Sequence, residues 1–189
     1  MDGGERARPK RDWRRGWGGP LLVFLAMLLF TLWWLGVFSQ ASVREMTSPA
    51  LPYVYREYDG SYAGLDRQRE KWLKELPTDW RQGATLTLIE KESHMQGKNN
   101  RVEARLGVLL SSVPHAVPGA WQLGQWPAQR VAAVDLQANS AIASWKGYSA
   151  LSSWCKRNGI TAQFPLLELQ GPGDRYRLWM PLMAHSSRP

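Results

Sequence analysis

Between Tyr53 and Leu182 the chain spells one order of elements twice, and an internal duplication limits the possible folds more than any other feature of this sequence. In the first copy, Tyr53 to Tyr58 alternates aromatic and polar side chains as a strand does, and Asp59-Gly60-Ser61 predicts a turn. Leu65, Trp72, Leu73 and Leu76 then share one helical face, and Pro77 stops that helix. Residues 84–89 and 102–110 alternate again around a polar turn at Gly97. In the second copy Arg130 to Leu136 reads as a strand and Tyr148 to Arg157 as a short helix, which Asn158-Gly159 ends through a left-handed cap. Phe164 to Gln170 and Arg175 to Leu182 read as two strands joined at Gly171-Pro172-Gly173. Laid over each other, LIEKES and LLELQG match from Leu88 and Leu166, and RLGVLL and RLWMPL match from Arg105 and Arg177. The pattern predicts an α+β fold of two strand-helix-strand-strand halves related by a pseudo-two-fold axis.

Ahead of this region, Leu21 to Phe38 runs 18 residues without a charge. At roughly 1.5 Å per residue such a helix reaches about 27 Å, close to the thickness of a bilayer core. Trp17, Trp33 and Trp34 stand where indoles favour the headgroup level, and residues 1–20 form a basic, Gly-rich tail. The expected organisation is a cytoplasmic tail over 1–20, one transmembrane helix over 21–38, a linker over 39–52 and a folded domain over 53–183. A C-terminal tail over 184–189 completes it. The positive-inside rule then puts the folded domain on the far side of a single-pass membrane, periplasmic in a bacterium. A cleaved signal peptide is the competing reading, because Ser39-Gln40-Ala41 offers small residues to a peptidase.

The net charge of +8, from 24 basic and 16 acidic residues, is not a nucleic-acid signature, because no Lys/Arg block longer than two occurs beyond the tail. The lipid bilayer is the simpler partner for the tail. A lone cysteine, Cys155, excludes an internal disulfide and multi-cysteine metal cages, and its place on the apolar helix face predicts burial. His94, His115 and His185 have no metal-ligand spacing and read as solvated loop residues; no metal or cofactor is expected. Ser153-Trp-Cys-Lys156 matches Ser-x-x-Lys without the motifs that accompany it in β-lactamases, and no P-loop, nucleophile elbow or dinucleotide fingerprint occurs.

Glu168 stands out. Strand alternation puts its side chain on the face of Phe164 and Leu166, so a carboxylate shares a surface with apolar groups. A buried carboxylate needs a partner, and a cationic or hydroxyl-bearing ligand would be one. The repeat alignment places Glu90 at the matching position, where pairing with Arg105 is the plainer reading.

Tyr55-Arg-Glu-Tyr-Asp-Gly-Ser-Tyr62 and Phe164-Pro-Leu-Leu-Glu-Leu169 resemble the strand with its helix entry and the acidic-aromatic strand of the GyrI-like domains. These small-molecule-binding domains of the SOUL/effector-binding superfamily also serve as effector modules of AraC- and MerR-type regulators. The resemblance covers roughly residues 53–183 and is strongest to a membrane-anchored branch that includes an ER-phagy receptor. It implies a ligand cleft between the halves that carries Glu168. Tyr55, Trp145, Tyr148, Trp154 and Trp179 are the candidate aromatic walls, suited to a small amphiphilic or cationic ligand. Two other functions stay open: a membrane-proximal scaffold for a partner protein, whose cleft would be filled by indoles, and a hydrolase with Glu168 as general base.

Overall fold

Side-chain alternation of period two dominates the chain after residue 41, and the fold is a sheet built from it. The computed structural model describes residues 18–34, 41–93 and 101–182. The chain divides into two units, Met1–Phe38 and Ser39–Pro189. In the first, helix α1 runs Gly18–Trp34, 17 residues, or about 26 Å. Among the described residues no helix is long and apolar enough to cross a membrane. Residues 35–38 of the expected span lie outside the described residues, as do most of the basic tail, the turn around Gly97, His94, His185 and the 184–189 tail.

The second unit has eight strands: β1 (Ser42–Ser48), β2 (Leu51–Ser61), β3 (Thr85–Ser93), β4 (Arg101–Leu109), β5 (Gln122–Trp126), β6 (Gln129–Gln137), β7 (Leu166–Gly171) and β8 (Arg175–Pro181). They form one antiparallel sheet in the order β1-β6-β8-β7-β3-β4-β2-β5. A short 3-10 turn at Tyr62–Gly64 leads into α2 (Leu65–Leu73), Pro77 ends that stretch, and a single turn α3 (Thr78–Arg81) follows. The long helix α4 (Ser140–Asn158) begins eight residues before the expected Tyr148, because Ala143 and Gly147 continue the face that packs on the sheet. Gly159, with φ of 63°, ends it in the left-handed conformation that its lack of a Cβ permits.

Two expectations are corrected. The 39–52 linker contains β1, and the stretch between the two copies, 111–127, contains β5. Asp59-Gly60-Ser61 does not turn but extends β2 to its last pairing, Ser61 with Arg101. The repeat is therefore strand-strand-helix-strand-strand. Its first strand crosses over, since β1 pairs with β6 of the second copy and β5 pairs with β2 of the first. The pseudo-two-fold axis passes between β3 and β7 at the centre of the sheet.

Each face of the sheet has its own core. Between the sheet and helices α2 and α4 lie Leu106, Ala132, Val134, Leu178 and Met180 from the strands and Leu151 from α4, with Cys155 buried among them as expected. On the opposite face, Tyr53, Tyr55, Leu86, Leu88, Leu167 and Trp179 pack together because the sheet curls toward a half-barrel. The curl brings its two ends into contact: Trp126 Nε1 at the end of β5 donates to Ser48 Oγ at the end of β1, at 2.9 Å, in a buried setting. Each fully buried Leu in these cores contributes about 1.5–3 kcal/mol, so the curl is held mainly by burial and closed by this one polar clasp.

Candidate functional site

The axis where β3 meets β7 also places the most unusual polar pair of the sheet. Glu168 on β7 lies directly opposite Thr87 on β3. Both point to the helix-covered face, as period two requires of residues flanked by Leu86, Leu88, Leu167 and Leu169 on the other face. If Arg105 and Arg177 are equivalent, as their sequence context indicates, strand register makes Thr87 the first-copy counterpart of Glu168. Thr87 pairs with Leu106 and Glu168 with Leu178, each one residue beyond its arginine. The expected equivalence with Glu90 is thus wrong. Glu90 sits at the irregularity between Ile89 and Lys91 and makes the plainer contact, an ion pair with Arg105 at 2.8 Å.

Three other elements complete the site. The 3-10 turn and α2 supply Tyr62, Leu65, Asp66 and Arg69, spaced to lie along one side of the helix, and α4 supplies Ser144, Trp145 and Tyr148 one turn apart. From β8 comes Tyr176, cross-strand from Gln170. Helix α4 passes close over β8 here, since a Cβ on Gly147 would stand 2.9 Å from the Tyr176 ring. Together these residues enclose a cavity of about 340 Å³ between the two halves.

The polar contacts inside are few. The Tyr148 hydroxyl donates a short hydrogen bond to Glu168 Oε1. Arg69 is tied down, with Nη1 donating to Thr87 Oγ1 at 2.8 Å and Nη2 to Asp66 Oδ1 at 2.6 Å. The buried Tyr176 hydroxyl meets no hydrogen-bond partner of good geometry, although Glu168 is near enough to perturb it. Burial holds the Glu168 carboxyl above the usual carboxylate range; the bond from Tyr148 and the charge of Arg69 pull it back in part, while Asp66 pushes it further up. Burial, then the Glu168 charge, raises the phenols of Tyr62, Tyr148 and Tyr176, so all three stay neutral donors. With two carboxylates and one guanidinium, the fully ionised lining carries one excess negative charge.

Of the six residues expected at the site, three meet there. Glu168 and Tyr148 touch, and Trp145, 70% exposed, stands at the rim. The other three are corrected. Tyr55 faces the opposite side of the sheet, where its hydroxyl donates to Gln122 Oε1 at 2.9 Å and the Arg105 guanidinium covers its ring. Trp179 is buried on that same face beside Trp126. Trp154 lies on α4 but packs against the hydrophobic core and does not reach the cavity. Tyr62, Arg69, Thr87 and Tyr176 were missed. The i, i+3, i+4, i+7 spacing of Tyr62, Leu65, Asp66 and Arg69 was the available signal for the first two, and period two from Leu178 for Tyr176. Among the described residues no group of side chains is arranged to hold a metal ion.

No protein-family model and no curated protein matches the sequence. Solved structures do match in fold. A protein from Staphylococcus aureus MU50 superposes with a TM-score of 0.51 at 12% identity, covering 76% of this chain and 99% of that one. SAV2435 bound to tetraphenylphosphonium superposes with a TM-score of 0.50 at 12% identity, covering 74% and 93%. The EcmrR chain of an EcmrR–DNA complex matches at 16% identity with a TM-score of 0.48; the match covers 89% of this chain and 66% of that longer one. At such identities the likeness concerns backbone architecture alone, and that architecture agrees with the GyrI-like fold expected from Tyr55–Tyr62 and Phe164–Leu169.

Proposed function

We propose that the domain captures a small amphiphilic organic cation in the cavity at its pseudo-two-fold axis, with Glu168 as counter-charge. The observation that carries this reading is a partly buried carboxylate whose hydrogen-bond donor is a phenol, set among three tyrosines and an exposed indole. Aromatic faces attract cations at about 0.5–2 kcal/mol each, and the excess negative charge of the lining selects the sign. At about 340 Å³ the cavity sits at the lower end of the usual ligand-pocket range, which favours a compact ligand. That SAV2435, of similar fold, has been solved with tetraphenylphosphonium makes this ion the natural probe. Titrating it into the full chain should give saturable binding, and absence of saturation would remove the proposal.

The Tyr148–Glu168 hydrogen bond also favours a hydrolase reading, in which a poised carboxylate activates water. Turnover of an activated ester such as p-nitrophenyl acetate, lost in Glu168→Gln, would support it; binding without turnover would not. The scaffold reading expected a cleft filled by indoles, whereas this cavity has one indole in its lining, the exposed Trp145, beside three phenols. Anchoring in a membrane through residues 21–38, with the domain translocated, is proposed on the charge-free run and its basic flank; protease accessibility in intact cells tests it.

A further inference from the structure

On the sheet face away from the helices, a second groove of about 490 Å³ crosses β1, β6 and β8, and its charge is mainly positive. Arg44, Arg175 and Arg177 line it, with Asp135 as their one acidic neighbour there. Arg44 meets Asp135 Oδ2 and Arg177 stands 3.8 Å from Asp135 Oδ1, so one carboxylate is shared by two guanidinium groups. Arg175 meets no acidic side chain among the described residues and is exposed. Met46 and the buried ring of Trp179 give the groove an apolar floor.

The duplication supplies an internal control for this charge. With Arg177 equivalent to Arg105, the strand pairings equate Arg175 with Glu103, Asp135 with Glu57 and Gln137 with Asp59. Arg44, opposite Ala133, takes the place of Gln122, opposite Tyr55. At these five positions the first copy carries −2 and the second +2, on the same backbone frame. A solvated sheet face has no need of that reversal, and Glu103 shows that the frame accepts an acid where Arg175 stands.

We propose that this groove binds an organic phosphate monoester. Such a group carries about −1.5 to −2 charge at neutral pH, which matches the local excess. Guanidinium forks bind its oxygens in pairs, while the apolar floor takes the organic body. A carboxylate, with a single charge, fits less well. The test titrates the full chain with phenyl phosphate and with benzoate, and adds detergent micelles doped with a phosphatidate to separate a soluble ester from a lipid headgroup. Saturable binding of either phosphate is expected, with phenyl phosphate at least about fivefold tighter than benzoate if the ester is soluble. Arg175→Glu should weaken it by about tenfold or more at an unchanged melting temperature. If that variant melts early, Arg44→Gln, which installs the residue of the first copy, takes its place. Failure of both phosphates to saturate, equal affinity for benzoate and the phosphate that binds, or undiminished binding by a folded variant overturns the proposal.

Discussion

Replacing Glu168 by Gln keeps the shape of the cleft and removes its charge. A cavity of about 340 Å³ corresponds to a sphere of about 4 Å radius, so a cation at its centre lies about 4 Å from a carboxylate in the wall. At an effective dielectric of about 20 that attraction is about 4 kcal/mol. Two features of the site offset part of it: burial keeps Glu168 inclined to hold a proton, and Arg69 sits in the same cavity. If these take about half, about 2 kcal/mol is left, a loss of about thirtyfold in affinity for tetraphenylphosphonium. The assay is calorimetric titration of wild type and Glu168→Gln with tetraphenylphosphonium and with tetraphenylborate, which has a similar shape and the opposite charge. The variant should lose affinity for the phosphonium and lose none for the borate. A change of less than about twofold for the cation, or parallel losses for both ions, refutes an electrostatic role for Glu168.

The same carboxylate sets a pH dependence. Because burial raises its pKa in the folded chain above the ordinary value of 4.5, the stability it contributes is present below that value and is lost as pH rises through the raised pKa. Glu168→Gln should therefore gain in melting temperature relative to wild type as pH increases over that window, and a gap that stays constant would contradict the burial. Cation binding draws Glu168 into its charged form, so affinity should rise with pH and protons should be released, as calorimetry in buffers of different ionisation enthalpy will show. Tyr55→Phe should leave cation affinity unchanged and cost about 0.5–1.5 kcal/mol in urea denaturation, the worth of its bond to Gln122. Trp126→Phe removes the clasp to Ser48 as well as part of a buried ring and should cost about 2–4 kcal/mol, with hydrogen exchange speeding up first in β1 and β5.

The duplicated pattern, the face that Glu168 shares with Leu166 and the burial of Cys155 were legible because each rests on local periodicity. The crossed strands were not. Both β1 and β5 are edge strands of seven and five residues with mixed exposure, flanked by Pro49 and Pro127, and short edges carry little alternation. Their shared Pro-Ala, at 49–50 and 127–128, was the overlooked sign of equivalence. The LIEKES and LLELQG match misled because letter similarity does not see register; the irregularity at Glu90 and the pairing of Thr87 with Leu106 decide which residues correspond. Trp179 and Tyr55 were misplaced for a related reason. A strand buried on both faces shows aromatic residues on each, and sequence does not say which face the helices cover. Tyr62 and Tyr176 join the site only through the packing of α2 and α4 across the axis, a long-range event.

The most direct test of the cleft is a structure of the full chain with tetraphenylphosphonium bound. The account predicts the ion among Tyr62, Tyr148 and Tyr176, with a phenyl group in contact with the Glu168 carboxylate. An empty cavity with the ion bound elsewhere, or an ion in the cavity out of contact with Glu168, would contradict it.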